Sequence, residues 1–448
     1  MKNTFRGGVH PNDRKAMSRD VPLRVYDAQG EMVFPVSQHI GKPAKPVVKK
    51  NDQVLVGQVL AQSDGFVSAS IVSSCSGKVK AIEKRRVIGG AMVDCIVVDN
   101  DGQFNELPHE KLRRNPKEMS GEEILSAVAD AGIVGMGGAG FPTHVKLKPR
   151  NAEAIKYVIA NGAECEPYLT CNDQLMRTKA AEIVEGMSII LQLFPNAEGV
   201  IGIEDNKPEA ITAMTTAAAS AERVRVLPLK TKYPQGGERS LISVIAGVDF
   251  PATSLPADVG CIVDNVATIL AVRNAVCFGE PLIKNVVTVT GEAVKEPCNL
   301  IVRVGTSLSE LLEAAGGVKD GCETKKALAG GPMMGLALGT LDVPTTKTTN
   351  GLTVLAADPV EEAELQMTAC LRCGRCGRVC PMGLLPQQMS EAAEKKDYER
   401  YEKLYGPDCI ACGTCTFICP AKRPLMQLFK QTKAEILAKK RAEMGGKK

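Results

Sequence analysis

Eight of the sixteen cysteines lie between residues 370 and 419, in two groups with the same spacing. Each group reads C-x2-C-x2-C-x3-C-P. Three thiolates on one tight loop can face three irons of a cubane, while the fourth points away at the start of a helix. We therefore predict two [4Fe-4S] clusters, each completed by the last cysteine of the other group. The expected ligands are Cys370, Cys373, Cys376 and Cys419 for the first cluster, and Cys409, Cys412, Cys415 and Cys380 for the second.

Structural zinc is the alternative for these groups, because C-x2-C pairs also bind zinc. Two copies of one three-plus-one spacing favour iron–sulfur clusters and are typical of bacterial two-cluster ferredoxins. Such clusters carry single electrons, so a donor and an acceptor are required. The remaining cysteines have no ligand spacing and are predicted to be mostly small buried apolar residues. They are Cys75, Cys95, Cys165, Cys171, Cys261, Cys277, Cys298 and Cys322.

The segment GMGGAGFPTHVKL, residues 135–147, contains the letters G-x-G-x-x-G of a dinucleotide-binding loop. A Rossmann loop follows a strand and opens a helix. Here a predicted helix over 121–131 precedes the glycines, and Pro142 and Pro149 prevent a long helix directly after them. Glycines nevertheless let backbone N–H groups approach a phosphate or a flat ring. The segment therefore predicts a nucleotide or flavin cradle of another kind, with a flexible turn as the alternative.

Three later segments carry polar residues at the ends of predicted strands: NGAECEP (161–167), YPQGGERSLI (233–242) and DNVATILAV (264–272). Open α/β sheets bind ligands at the carboxyl ends of their strands. Each acid alone would more often be a solvated or capping carboxylate, but together at one sheet edge they predict a site. The candidate residues in these segments are Asn161, Glu164, Glu166, Gly236, Gly237, Glu238, Asn265 and Thr268.

Hydrophobic periodicity predicts a multidomain α/β protein. Residues 33–99 alternate at period two and indicate a small β module, whereas residues 120–280 alternate helices with strands and indicate a mostly parallel sheet. Residues 285–345 predict two strands, a short helix and a further strand. The predicted boundaries are an irregular arm at 1–32, the β module at 33–112, the α/β domain at 113–282, a β-grasp domain at 283–345, the cluster domain at 360–421 and a basic tail at 422–448.

The composition of the chain argues against nucleic-acid binding and against a membrane-spanning segment. A net charge of +4, 4% aromatic residues and no Trp argue against a nucleic-acid partner. No apolar run approaches the ~18 residues needed to span a bilayer, and the start of the chain has no apolar signal core. We expect a cytosolic chain that could dock on a membrane protein. The last 28 residues hold nine Lys and Arg against two Glu and indicate a solvated helix end, with a docking tail as the alternative.

Two modules resemble known domains. Residues 47–62 and 67–83 resemble the flattened barrel of biotinyl and lipoyl carrier domains, with Gly57 and Gly77 at its turns. Residues 73–76, Ser-Ser-Cys-Ser, stand where those carriers have a modifiable lysine, so we expect a barrel without a swinging arm. Residues 283–345, which include GGPMMG, resemble the soluble-ligand-binding β-grasp (SLBB) domain.

The four segments GMGGAGFPTHVKL, NGAECEP, YPQGGER and DNVAT together resemble the flavin and NADH site of the 51 kDa flavoprotein subunit of respiratory complex I. With FRGGVHP near the start, the carrier-like barrel and the doubled cysteine motif, nearly all of residues 1–425 resemble the family of C subunits of Rnf ion-translocating electron transport complexes. This resemblance implies a Rossmann-like FMN/NADH domain between the barrel-sandwich and SLBB modules, followed by a helical double-[4Fe-4S] domain.

The resemblance also assigns roles to single residues. Phe141 would supply a face near the adenine or nicotinamide, and Lys146 would pair with phosphate. Asn161 and Glu164 would contact the isoalloxazine or ribityl chain, and Glu166 the NADH ribose or amide. The FMN phosphate and the nucleotide would lie against Gly135, Gly137, Gly138, Ala139 and Gly140.

Two departures from the complex I motifs concern the nicotinamide contacts. Ala163 stands where that family has Asp, and Gly237-Glu238-Arg239 replaces the double acid of GEE. Glu238 would still lie on the nucleotide side.

The implied function is that of one subunit of an ion-translocating ferredoxin:NAD+ oxidoreductase. FMN converts hydride exchange with NAD(H) into single-electron exchange with two clusters. The implied partners are the membrane-embedded and ferredoxin-reactive Rnf subunits, which couple the redox reaction to Na+ or H+ movement, and the implied location is peripheral, on the cytoplasmic face of the cell membrane. Two alternatives remain: a soluble NADH-dependent cobalamin reductase with the same cofactors, and a flavin-free ferredoxin-like relay.

Overall fold

The computed structural model describes residues 3–108, 113–251 and 253–445. The chain divides into two compact units. The first, called the cluster unit, consists of Met1–Asn12, Leu229–Leu255 and Asp358–Lys448. The second, called the main unit, consists of Asp13–Pro228 and Pro256–Ala357. Residues 109–112, where the predicted boundary after the β module falls, lie outside the described residues.

Seventeen strands and fourteen α-helices occur in the described residues. The strands are β1 (Arg24–Tyr26), β2 (Met32–Pro35), β3 (Lys45–Pro46), β4 (Gln53–Val54), β5 (Val59–Gln62), β6 (Ile71–Val72), β7 (Gly77–Arg86), β8 (Met92–Asn100), β9 (Tyr157–Gly162), β10 (Glu198–Glu204), β11 (Val224–Leu229), β12 (Cys261–Asn265), β13 (Lys284–Thr290), β14 (Cys298–Arg303), β15 (Lys326–Ala329), β16 (Leu336–Ala337) and β17 (Gly351–Leu355). The helices are α1 (Gly121–Asp130), α2 (Thr143–Lys146), α3 (Cys171–Thr178), α4 (Ala180–Leu191), α5 (Pro208–Ala218), α6 (Glu238–Ala246), α7 (Val266–Phe278), α8 (Leu308–Ala314), α9 (Pro359–Leu365), α10 (Arg375–Val379), α11 (Pro386–Glu394), α12 (Tyr398–Lys403), α13 (Thr414–Phe417) and α14 (Leu425–Gly445).

A four-stranded sheet of order β11-β10-β9-β12 forms the centre of the α/β domain. Strands β10 and β12 both run parallel to β9, which places Asn161 beside Gly202 on one side and beside Asn265 on the other. Six of the seven residues of β10 are buried, as expected of a parallel strand covered on both faces. The prediction of a parallel sheet with helices is therefore confirmed.

The helix before the glycine segment is also confirmed. Ser120 accepts a hydrogen bond from the backbone N–H of Glu123, and the Glu123 carboxylate accepts one from the backbone of Ser120. This capping box begins α1 at Gly121. Only the single turn of α2 follows the glycines, so the segment lacks the strand and long helix of a Rossmann loop.

The β-grasp module is a six-stranded sheet of order β1-β14-β13-β17-β15-β16. Two of its strands lie outside the predicted range 283–345. Strand β17 lies between β13 and β15, and β1 pairs in parallel with β14. The residues predicted as an irregular arm thus contribute a strand, which three residues are too short to reveal by periodicity.

The carrier-like barrel consists of two sheets, of order β2-β8-β7-β4 and β3-β5-β6. The four residues 73–76 are buried. Ser74 donates a hydrogen bond to the carbonyl of Val304, and Ser76 donates one to Asp101. Burial raises the pKa of the Cys75 thiol to about 12. These side chains serve internal packing at the position where carriers have their lysine.

A buried lysine joins three modules of the main unit. The Nζ atom of Lys347 donates to the carbonyls of Ser70 in the barrel and Gly132 in the α/β domain, each at 2.6 Å. Its backbone N–H donates to the side chain of Gln38 at 3.0 Å. Burial lowers the pKa of Lys347 to about 7. The neutral amine can still donate to both carbonyls, so the junction holds without a buried charge.

We expect stability to depend on pH through Lys347. In the unfolded chain this lysine titrates near its ordinary pKa of ~10.4. Between about pH 7 and 10 the unfolded state therefore binds one more proton than the folded state, and the free energy of unfolding rises by up to ~1.4 kcal/mol per pH unit. Calorimetric unfolding across this range should show the rise in the wild type and a flatter profile in Lys347→Met. Lys84→Met, at an exposed position, is the control; parallel profiles for all three proteins would contradict the expectation.

Residues near the start of the chain pair with later segments of the cluster unit. The backbones of Val9 and Tyr233 exchange two hydrogen bonds of 2.9 Å, and the N–H of Gly8 donates to the carbonyl of Val379 at 2.8 Å. Around the cysteines, helices α11, α12 and α14 share a small core that includes Tyr401 and Phe429. Helix α14 covers most of the predicted basic tail, whose last three residues lie outside the description. Within the described residues, every helix is too short or too polar to cross a membrane.

Candidate functional site

The glycine segment is a closed loop at the edge of the parallel sheet, and we call residues 135–141 the glycine loop. The N–H of Gly135 donates to the carbonyl of Phe141 at 2.9 Å, which closes the loop at its base. The N–H of Met136 donates to Oγ1 of Thr268, in the first turn of α7, at 3.0 Å. The loop is thereby fixed to the helix that follows β12.

The tip of the glycine loop presents bare backbone. A Cβ atom on Gly137 would lie 2.9 Å from the side chain of Asn265, so this glycine permits a close approach. A Cβ atom on Gly138 would meet no atom of the described residues within 4 Å. Residues 137–139 are exposed. This cradle of accessible backbone fits a flat ring or a phosphate, which is the test that an FMN site has to meet.

The barrel contacts the glycine loop at Gly140. Gly140 has a φ of +68°, which favours glycine, and a Cβ there would lie 3.0 Å from the carbonyl oxygen of Gln38. The carbonyl of Gly140 accepts a hydrogen bond from the N–H of Ile40 at 3.3 Å. No sequence pattern indicates this support, because the contact joins segments that are far apart along the chain.

Lys146 already has an acidic neighbour. Its Nζ atom donates to the carbonyl of Val263 at 2.7 Å and to Oδ1 of Asp264 at 3.1 Å. Burial raises the pKa of Asp264, and the charge of Lys146 opposes that rise. Among the described residues, the other carboxylate oxygen of Asp264 is buried without a hydrogen bond. Asp264 opens the segment DNVAT, whose pattern points instead to Asn265 and Thr268, so sequence reasoning missed it.

Glu164 binds the start of a helix. Its carboxylate accepts hydrogen bonds from the backbone N–H groups of Asn172 at 2.6 Å and Asp173 at 3.2 Å, in the first turn of α3. The side chain is buried, with a backbone φ of +46°. Burial, followed by the nearby charge of Glu164, raises the pKa of Asp173 to about 6. In this structure Glu164 therefore acts as a helix cap beneath the sheet edge.

Glu166 ties the sheet edge to the β-grasp module. Its Oε1 atom accepts hydrogen bonds from the N–H groups of Met333 at 2.6 Å and Met334 at 3.1 Å, both in the GGPMMG turn. Burial raises the pKa of Glu166, and these two donors oppose the rise. Glycine is required at 331, where a Cβ would lie 2.4 Å from Cγ of Glu166. The sequence patterns do not predict this contact.

The structure thus brings most of the predicted residues to one edge. The glycine loop, Asn161 at the end of β9, and Asn265 and Thr268 around the start of α7 lie together, with Lys146 on Asp264 beside them. Glu164 and Glu166 also belong to the main unit, where they accept hydrogen bonds from backbone N–H groups. The last three predicted residues belong to the cluster unit. They are Gly236, Gly237 and Glu238, of which Glu238 begins α6.

The eight clustered cysteines line two separate cavities, called cavity 1 and cavity 2. Each contains three cysteines of one motif and the last cysteine of the other. Cavity 1 is lined by Cys370, Cys373, Cys376 and Cys419. Cavity 2 is lined by Cys380, Cys409, Cys412 and Cys415.

The two cysteine loops repeat one backbone geometry. Arg372 and Ala411, two residues after the first cysteine of each motif, both have a φ of +52°. Their N–H groups each donate to the sulfur of that cysteine, Cys370 or Cys409, at 3.4 Å. Amides directed at sulfur stabilise thiolate charge and tune cluster potentials. The donor set of four thiols around each cavity therefore fits a cubane cluster.

The environments of the two cavities differ. Cys370 and Cys373 are exposed, whereas Cys412 and Cys415 are buried. The hydroxyl of the buried Tyr233 donates to the carbonyl of Cys412 at 2.7 Å, so the YPQGGER segment contacts the cysteine loop of cavity 2. Burial raises the pKa of the Cys380 thiol to about 11. Thiolates in cavity 2 therefore need a compensating positive charge, which iron supplies.

Family comparisons cover four consecutive parts of the chain. Residues 3–103 match the RnfC barrel sandwich hybrid domain, and residues 128–274 match the Nuo51 FMN-binding domain. Residues 286–337 match the SLBB domain, and residues 369–424 match a 4Fe-4S dicluster domain. The predicted fold class and the predicted FMN and [4Fe-4S] cofactors are thereby confirmed.

Whole-chain relatives are similar over nearly the full length. The C subunit of the proton-translocating ferredoxin:NAD(+) oxidoreductase complex of Clostridium ljungdahlii is 44% identical over 97% of this chain and 94% of its own. The C subunit of the Na(+)-translocating complex of Acetobacterium woodii is 40% identical over 98% of both chains. The C subunit of the ion-translocating oxidoreductase complex of Rhodobacter capsulatus is 41% identical over 97% of this chain and 83% of its own. The chain belongs to the family of C subunits of these ion-translocating oxidoreductase (Rnf) complexes.

Proposed function

We propose that this chain exchanges electrons with NAD(H) within an ion-translocating ferredoxin:NAD+ oxidoreductase complex. The observation that carries the proposal is the presence, in one chain, of a bare glycine cradle at a parallel sheet edge and two four-cysteine cavities. FMN, when bound, can exchange two electrons with a nicotinamide and single electrons with iron–sulfur clusters. The glycine cradle would therefore serve the exchange of two electrons with the nicotinamide, and the cysteine cavities would serve the exchange of single electrons.

The residues of the main unit would bind and orient FMN. Residues 137–139, at the tip of the glycine loop, are exposed, and their backbone N–H groups would contact the ring or the phosphate. Asn161 and Asn265 supply amides at the ends of adjacent strands, and Lys146 supplies positive charge for a phosphate. The proposed contacts also include Gly135, Gly140, Phe141 and Thr268.

Glu164 and Glu166 are proposed to hold neighbouring segments in place around the FMN site. Glu164 holds α3, and Glu166 holds the GGPMMG turn, so both fix the walls around the sheet edge. Contacts of Glu164 with the isoalloxazine or ribityl chain, and of Glu166 with the NADH ribose or amide, are also proposed. From the resemblance of the YPQGGER segment alone, Gly236, Gly237 and Glu238 are also proposed as nucleotide-binding residues.

The cysteines would hold two [4Fe-4S] clusters with crossed fourth ligands. Cavity 1 contains Cys419 from the second motif, and cavity 2 contains Cys380 from the first. The names of the relatives support assembly with other subunits of a complex. We propose that this chain binds peripherally, on the cytoplasmic side of the membrane, to membrane-embedded and ferredoxin-reactive subunits.

Anaerobic purification of the full chain tests the proposed function. We expect about eight irons and one FMN per chain, and bleaching of the flavin absorption when NADH is added. Eight irons with neither flavin nor a response to NADH would favour the flavin-free relay. Rapid NADH-dependent reduction of cob(II)alamin to cob(I)alamin would favour the cobalamin reductase.

A further inference from the structure

Two buried carboxylates lie together beneath the sheet edge of the main unit. Asp173 is 1% exposed and Glu164 is 8% exposed. The backbone N–H of Asp173 donates to Oε2 of Glu164 at 3.2 Å, so the Glu164 carboxylate lies against the first turn of α3, which carries Asp173. Two neighbouring carboxylates in a buried place disfavour each other's charged form. We call Glu164 and Asp173 the buried pair.

The two members of the buried pair are stabilised unequally. The Glu164 carboxylate accepts hydrogen bonds from two backbone N–H groups. In Asp173, the Oδ1 atom is buried without a hydrogen-bond partner among the described residues, and Oδ2 lies 3.7 Å from Nε of Arg19. A buried carboxylate oxygen without a donor is costly when charged and can bind a proton instead. Asp173 is therefore the member of the buried pair that is suited to take up a proton.

Two buried lysines near the buried pair hold backbone carbonyls. The Nζ atom of Lys207 donates to the carbonyl of Ala163 at 2.7 Å. The Nζ atom of Lys15 donates to the carbonyl of Glu166 at 3.0 Å and to that of Leu169. These contacts fix the segment that carries Glu164, whose φ of +46° requires such support. The charged groups that act on Asp173 are Glu164, Lys207, Arg177 and Arg19, and Lys15 and Glu204 act on Lys207.

We propose that Asp173 takes up one proton from solvent when FMN is reduced and releases it when FMN is reoxidised. The inference rests on the proposed function, which places Glu164 against the flavin. Hydride transfer breaks a C–H bond of NADH, forms an N–H bond on FMN and leaves one negative charge on the reduced flavin. The proton forms an O–H bond on Asp173 and compensates that charge. When two single electrons have passed to the clusters, this proton and the N–H proton of the flavin both leave.

The charge of the reduced flavin is the change to which Asp173 would respond. In this structure burial, followed by the charge of Glu164, raises the pKa of Asp173 to about 6, so its carboxylate is mostly charged at about pH 7.5. One more negative charge beside Glu164 raises that pKa further and favours the protonated form. The side chain of Arg19 is 25% exposed, so solvent reaches the edge of the buried pair.

Proton uptake during reduction of the full, FMN- and cluster-loaded chain at an electrode tests this proposal. At about pH 7.5 the wild type should take up about one proton more per FMN than Asp173→Asn. The matched control is Asp320→Asn, which removes a carboxylate that is 93% exposed in the same unit. It should take up as many protons as the wild type. Equal uptake by Asp173→Asn and the wild type would overturn the proposal and would place the proton on the flavin itself.

Infrared difference spectra of the wild type give a second test that requires no substitution to fold. Reduction should produce the C=O band of a protonated carboxylic acid, and the band should be missing in Asp173→Asn. A wild-type spectrum without this band would also overturn the proposal. A chain whose flavin is not bleached by NADH contradicts the proposed function, whereas normal bleaching with an unchanged proton number contradicts this inference alone.

Discussion

Gly138→Leu is expected to abolish FMN binding while the protein remains folded. A Cβ atom at this position meets no atom of the described residues within 4 Å, and the backbone is not in the left-handed region. The leucine side chain therefore enters the space in front of the glycine loop, which the proposal assigns to FMN. We expect affinity for FMN to fall at least about a hundredfold, a loss of roughly 2.7 kcal/mol or more. The free energy of unfolding of the FMN-free protein should change by less than about 0.5 kcal/mol.

The chain offers a matched control for this substitution. Gly339 is also exposed and lacks a positive φ, and a Cβ atom added there would likewise meet no described atom within 4 Å. Gly339→Leu should therefore bind FMN like the wild type. Fluorescence titration of the FMN-free protein measures both affinities. Retention of wild-type affinity in Gly138→Leu would place FMN elsewhere.

Gly137→Ala gives a useful contrast with Gly138. Its Cβ would lie 2.9 Å from Asn265, whose side chain caps α7 by accepting a hydrogen bond from Ala267. A loss of FMN binding in Gly137→Ala would have two causes, the blocked space in the cradle and the displacement of the Asn265 cap. The clean test of the cradle is therefore position 138.

Short-range patterns in the sequence predict the local elements of this protein well. The capping box at Ser120, the strand ending at Gly162 and the helix beginning after Asn265 all depend on neighbouring residues, and the structure confirms them. The repeated cysteine spacing likewise predicts two loops of one geometry, because the same residue intervals produce the same positive-φ positions.

Contacts between distant segments could not be predicted in this way. The amides of Met333 and Met334 satisfy Glu166 across 167 and 168 positions, and Lys347 reaches Gly132 across 215. A carboxylate at a strand end has the same sequence signal whether it binds a nucleotide or a backbone amide. The pattern therefore assigns the acids of NGAECEP to ligands, whereas the structure shows the protein groups that already hold them.

The start of the chain illustrates the same limit. FRGGVHP has no apolar periodicity, so it predicts an irregular arm. In the structure Gly7 and Gly8 have φ values of +80° and +81°, and a Cβ on Gly7 would lie 2.8 Å from the carbonyl oxygens of Val379 and Cys380. The glycine pair is required by a close approach to a cysteine loop near the other end of the chain, and a single sequence does not reveal that partner.

Reciprocal cysteine substitutions should remove one cluster each, and the cluster that is lost identifies the crossed ligands. Cys380 belongs to the first motif in sequence but lines cavity 2 with Cys409. Cys419 belongs to the second motif but lines cavity 1 with Cys370. We expect Cys380→Ala to lose the cluster of cavity 2 and Cys419→Ala to lose that of cavity 1, each reducing iron from about eight to about four per chain.

The environments of the two cavities make the two losses distinguishable. Cavity 1 has exposed thiols, so its cluster should react faster with a hydrophilic chelator or oxidant than that of cavity 2. In Cys380→Ala the surviving cluster should show the fast reaction, and in Cys419→Ala the slow one. Cys322→Ala, at a partly exposed cysteine outside both cavities, should retain about eight irons and both rates. The opposite assignment of rates would mean that each motif binds its own cluster with all four cysteines. Because the fourth thiol of cavity 1 lies on a chain segment that also forms cavity 2, crossed ligation would make each loop depend on the other for its shape.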